Sequence, residues 1–131
     1  MADPNKKAGE QERDSQHRAA RISRQRTGTL RSQELEAGAW KVIAEGRESG
    51  TAGIFRPTGE VREGLIGEIV HDIDPDSILF DAPRKDQQVW FVRRFGPNVN
   101  LGNVPVDEVL ALETLRLGLR SDTMGVERRG P

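Results

Sequence analysis

Glu45 and Asp81 each follow a short apolar run, KVIA before the first and SILF before the second. Two carboxylates at the ends of neighbouring strands can hold a hard divalent cation such as magnesium, which takes oxygen ligands. They can equally form an acid–base pair. The plainer reading is that each caps its following loop or pairs with Arg47 or Arg84. Arg47 offers a planar fork for phosphate, carboxylate or sulfonate, and Lys85 offers a point charge. Gly50 and Gly53 let backbone approach an anion. The stretch FGPNVNLGN, residues 95–103, sets Asn98, Asn100 and Asn103 around Val99 and Leu101. A strand with no chemistry at its end has no need of those amides. Gly102-Asn103 comes before a helical pattern, and backbone N–H groups at helix starts receive phosphate.

These residues are useful only if the chain brings them together. SQELEAGA reads as a helix end with Gly38 near its C-cap. WKVIAEG is a short β-prone run, and RESGTAGIFRPTGE is a long Gly-rich loop. VREGLIGEIVHDI has apolar residues at 61, 65, 66, 69, 70 and 73, a helical period. SILFD is a second strand. APRKDQQVWFVRRFG is a second helix, with Val89, Trp90, Val92 and Phe95 facing inward and Gly96 as its stop. NVNLG is a third strand. PVDEVLALETLRLGLR is a third helix opened by Pro105, with apolar residues at 106, 109, 110, 112, 115, 117 and 119.

The order β-α-β-α-β-α, with strands of about five residues, implies a parallel sheet with crossover helices. Ligands then sit at the C-terminal ends of the strands. Glu45-Gly46-Arg47-Glu48, Asp81 to Lys85, and Asn100 to Asn103 stand there together. Trp90 and Phe91 fall in the apolar pattern of their helix and read as core. His71 and Arg93-Arg94 read as solvated. One of Gln87 and Gln88 can reach the site from the first turns of its helix.

The chain has 131 residues, net charge −1, 34% apolar and 31% charged side chains, and no cysteine. Length allows one modest domain. The missing cysteines exclude disulfides and thiolate chemistry. The balanced charge points to neither nucleic acid nor membrane, and no apolar run reaches the roughly 18 residues of a span. No apolar signal region opens the chain, so the expected location is cytoplasmic. Residues 1–30 carry only Ile22 and Leu30 as large apolar residues and are expected to be a disordered polar tail. Residues 31–123 form the domain, and 124–131 are expected to fray.

Residues 36–123 resemble the C-terminal part of the phosphosulfolactate synthase family of the coenzyme M pathway. The matching motifs are EAGAWKVIAEGRESGTAGIF, ILFDAPRKDQQVWFVRRFGPNVNLGN and VLALETLRLGLRSDT. They are long and ungapped, and the span 36–123 is about two-thirds of the chain. The resemblance implies a TIM-type (β/α)8 barrel and a lyase. The implied reaction is magnesium-dependent addition of sulfite to phosphoenolpyruvate, giving (2R)-phospho-3-sulfolactate. Under it, Glu45 and Asp81 hold Mg2+ or its water shell. Arg47 and Lys85 bind anions, Gly102 and Asn103 take the phosphate, and Asn98 and Asn100 orient the substrate.

A complete barrel needs roughly 250 residues. The three βα units correspond to the last three of the family, with the polar tail where five others would stand. The expectation is therefore a truncated chain, inactive alone unless it forms a homo-oligomer or meets a complementing half-barrel that carries the proton donor. A non-catalytic binding or assembly role, as in a heat-stress-associated branch of the family, is the alternative.

Overall fold

The computed structural model describes residues 32–46, 50–51 and 53–126. The polar tail expected over 1–30, Arg47 and residues 127–131 lie outside the described residues. Residues 32–36 are helical and lead through a turn at 37–38 to the first strand. Three βα units follow. They are β1 (Val42–Ala44) with α1 (Glu63–Asp72), β2 (Ile78–Asp81) with α2 (Lys85–Phe95), and β3 (Leu101–Gly102) with α3 (Val109–Arg116). The sheet order is β1-β2-β3 and both pairings are parallel. Val42, Ile43 and Ala44 register with Ile78, Leu79 and Phe80, while Phe80 and Asp81 register with Leu101 and Gly102. The alternation of strands and helices produces the expected crossovers, because parallel neighbours cannot be joined by a tight turn.

Side chains on a strand alternate between faces. Val42, Ala44, Ile78 and Phe80 are buried on the helix face, against Ile66 and Ile69 of α1 and Phe91 and Val92 of α2. Ile43 and Leu79 point to the other face, where Ile43 is 50% exposed. The core is held by an aromatic group centred on β2 and α2. Phe80 stacks on Phe91 at 4.7 Å and on Phe95 at 5.3 Å between ring centroids. Phe55, from the loop after β1, meets Phe91 edge-on at 6.4 Å. Phe91 is therefore the most enclosed aromatic of α2, together with Val92. Trp90, Phe95 and Val89 are only half-buried, although the helical pattern points them inward. The indole N–H of Trp90 donates outward to Glu63 Oε1 at 3.0 Å.

Several expectations need correction. The strands span three, four and two residues, shorter than five. The third is shortest because its ladder rests on two bonds, Phe80 N–H to Asn100 O and Ala82 N–H to Gly102 O. Pro105 opens a 3-10 turn, Val106–Glu108, before α3 begins. Of the apolar residues of that third helical pattern, only Leu112 and Leu115 are buried; Val106, Val109, Leu110, Leu117 and Leu119 are exposed. The described part of the expected frayed end, 124–126, folds back, and Val126 packs partly buried against the core. Thr123 anchors that return by donating its hydroxyl to Leu115 O at 2.6 Å. Among the described residues no helix is long and apolar enough to cross a membrane.

Phe91→Ala removes a ring that touches Phe55, Phe80, Trp90 and Phe95. The expected cost is about 3–5 kcal/mol, read as a lower urea midpoint. An unchanged midpoint would show that the aromatic group does not hold the sheet to its helices.

Candidate active site

Asp81 closes β2 on the face opposite Phe80, so the strand that buries one side chain in the core presents the next at the mouth of the sheet. Its Oδ2 accepts a hydrogen bond from the Gly46 N–H at 2.9 Å. Gly46 is buried two residues past β1, so this bond ties the ends of two neighbouring strands. On the other flank lies Gly102 of β3. A Cβ there would stand 2.6 Å from Leu79 Cδ2 and 3.6 Å from Asp81 Oδ1. A larger residue at 102 would have to displace the end of the Leu79 side chain.

Burial pushes the Asp81 carboxyl above its ordinary value, and the charge of Glu45 pushes it further the same way; the Gly46 hydrogen bond works against both. Glu45 is exposed just past β1, and its backbone carbonyl accepts from the Ile54 N–H at 3.0 Å, which returns the loop to the strand end. Glu45 and Asp81 thus stand at one mouth of the sheet, where the charge of Glu45 acts on Asp81. Their donor set fits a magnesium ion, which is bound by one or two carboxylates and keeps water and substrate oxygens in its remaining positions. A site built wholly from side chains does not fit: among the described residues no three His, Asp or Glu converge.

Lys85 begins α2 close to this mouth, but its Nζ stands 3.0 Å from Asp122 Oδ2. The hydrogen bond and charge of Lys85 lower the Asp122 carboxyl. The pair is exposed, so it contributes little to stability and leaves the lysine exchangeable. Asn98 and Asn100 do not join the carboxylates. Asn98 lies exposed in the turn before β3. The Asn100 amide donates to Asp76 O at 3.1 Å and Ile78 O at 3.2 Å, at the N-terminal end of β2. It fastens the entry of one strand to the entry of the next. Asn103 is exposed, at φ 54°, beyond β3. Val104 and Pro105 separate it from the helical turn, whose first turn carries Asp107 and Glu108. Those carboxylates compete with any anion for the helix start.

Two participants escape a reading by residue type. The Gly46 amide has no side chain to announce it. Asp122 is distant in sequence from Lys85. Gln87 and Gln88 are buried rather than turned to the site: Gln88 Nε2 donates to Ala82 O at 3.0 Å, and Gln87 bridges the loop after β1. A usable sign existed for Gln87, which stands at the third helical position and accepts the Arg84 N–H as half of a capping box.

The raised carboxyl makes stability depend on pH with a definite sign. The folded chain holds the Asp81 proton more tightly than the unfolded chain. Stability therefore falls as pH rises from 3.8 through the folded value, and the ionised carboxylate is a net cost at neutral pH. Asp81→Asn keeps an acceptor for Gly46 and removes that charge. It is expected to melt at or above the parent Tm at neutral pH and to match the parent below pH 3.8. A lower Tm at neutral pH would show that the Gly46 hydrogen bond outweighs burial and the Glu45 charge.

The family model described as (2R)-phospho-3-sulfolactate synthase (ComA) matches residues 4–122. The chain is 53% identical over 92 residues to the phosphosulfolactate synthase of Bacillus subtilis (strain 168), covering 70% of this chain and 36% of that one. It is 50% identical over 93 residues to the phosphosulfolactate synthase of Methanocaldococcus jannaschii, covering 70% and 37%. Protein HEAT-STRESS-ASSOCIATED 32 of Arabidopsis thaliana is 28% identical over 82 residues, covering 63% and 27%. The chain spans about a third of the length of the curated synthases that it matches. Its three parallel βα units are a consecutive part of the TIM barrel of that family. The chain belongs to the (2R)-phospho-3-sulfolactate synthase (ComA) family.

Proposed function

We propose that these βα units form part of the active site of a phosphosulfolactate synthase, a lyase that adds sulfite to phosphoenolpyruvate. The observation that carries the reading is the pair of carboxylates, Glu45 and Asp81, at the C-terminal mouth of a parallel sheet with 53% identity to a synthase. In the reaction the sulfite sulfur bonds to the methylene carbon of the enol phosphate. The double-bond electrons move to the adjacent carbon and into its carboxylate, which becomes an aci-carboxylate. A proton delivered to that carbon completes phosphosulfolactate.

Three anionic groups meet in this chemistry, so the site must supply positive charge where negative charge builds. Glu45 and Asp81 would hold Mg2+ directly or through its water shell, and bound there the ion would neutralise charge on the substrate oxygens. Their orientation is the work of the chain: the Gly46 N–H fixes one Asp81 oxygen and leaves the other toward Gly102. Lys85 would exchange its exposed partner Asp122 for a substrate anion, and Arg47 would add a second cation from the loop after β1. The role of proton donor falls to none of these residues. The half-exposed Ile43 and the two edge strands of the described sheet support a reading in which further βα units of the same fold close the barrel around the mouth. A non-catalytic binding role rests on the 28% match and draws less support.

The test is loss of phosphoenolpyruvate with sulfite and magnesium, followed across size-exclusion fractions of the purified chain, alone and mixed with a chain carrying the other units. Sulfite-dependent turnover is expected in the assembled fraction. Asp81→Ala should lower it by roughly 100-fold or more, and Asp122→Asn, which releases Lys85, should not abolish it. A folded, assembled sample without turnover would overturn the reading.

A further inference from the structure

Gln87 is 1% exposed, yet it is a polar side chain in the helix that carries the aromatic core. Burying an amide is costly unless every polar atom finds a partner. In this helix each does. Nε2 donates to Gly50 O and to Gly59 O, both at 2.9 Å, and Oε1 accepts the Arg84 N–H at 3.2 Å. Only one orientation of the amide satisfies two carbonyls and one N–H together. The three partners are two points of the loop after β1 and the N-cap of α2. Gly50 is shaped to this contact: it sits at φ +65°, and a Cβ there would stand 2.6 Å from Nε2.

The same loop begins at Gly46, whose N–H holds Asp81 Oδ2, and returns to β1 through the bond from Ile54 N–H to Glu45 O. Among the described residues, the clamp at Gly59 and the carboxylate contact at Gly46 are linked through Ile54 and Glu45. Among the described residues, Glu45 repels the charge of Asp81 and Gly102 brings no side chain, so neither supplies the contact.

We propose that Gln87 is a positioning residue. It fastens the loop after β1 to the start of α2 and so keeps the Gly46 N–H against the Asp81 carboxylate. Its bearing on turnover rests on the function proposed above; its hold on Asp81 does not.

The test follows amide exchange and amide chemical shifts of the chain by NMR. Gln87→Met is close in size and uncharged, so it adds no field at Asp81. It is expected to speed exchange of the Gly46 amide by about tenfold or more relative to the Phe80 amide of the sheet. The Gly46 amide proton should also move upfield, because its hydrogen bond to Asp81 lengthens. Gly50→Ala presses on the clamp from the loop side with α2 intact and should shift both readouts the same way; it decides the matter if Gln87→Met does not fold. A uniform loss of protection with an unmoved Gly46 amide shift would overturn the proposal. If the parent chain shows no turnover while both variants shift as expected, only the catalytic reading falls.

Discussion

The alternation of side chains along β2 is the constraint on which the molecule depends. Phe80 and Asp81 are neighbours in sequence and face opposite ways. Phe80 enters the aromatic group that ties the sheet to α2. That fixes the strand's rotation, and with it the direction of Asp81. A slip of one residue would send the carboxylate into the core and the ring into the mouth. The packing that stabilises the helix face therefore also aims the polar face.

Backbone groups then refine what packing aims. Asp81 is held by the amide of Gly46, Glu45 is placed by the return bond from Ile54, and the loop between is pinned by a buried glutamine amide. Rigid donors of this kind orient a carboxylate without neutralising it. The result is a carboxyl that burial and Glu45 make reluctant to ionise. A fold gains nothing in stability from that arrangement, whereas a site that recruits a cation or transfers a proton uses it.

The sheet is polarised by length as well as by chemistry. Asn100 and Asp76 stitch the strand entries together, and Arg116 Nη1 caps the turn before β3 through Val99 O at 2.8 Å. At the exits, Asp81 lies between the Gly46 N–H and Gly102. The stitching bonds lie at one end and the carboxylates at the other, the usual division in parallel α/β sheets. The exposed apolar residues of α3 and the half-exposed Ile43 are the surfaces that this division leaves uncovered.

The order of strands and helices was legible in the sequence because periodicity is local. Apolar residues at 65, 66, 69 and 70 define one face of α1 whatever surrounds it, and Gly96 and Pro105 mark ends through their own backbone limits. Parallel pairing followed from the alternation of elements, and Glu45 and Asp81 followed from standing at strand ends. The partners of polar side chains were not legible, because a hydrogen bond is chosen by three-dimensional neighbours and not by residue type. Asn100 fell to the strand entries, Lys85 to Asp122, and Gln87 to the loop. The sequence by itself determined which elements form and which carboxylates share an edge. Only the tertiary structure decided which backbone amide holds Asp81 and which side chains are already engaged, because those contacts join segments that meet only when the core closes.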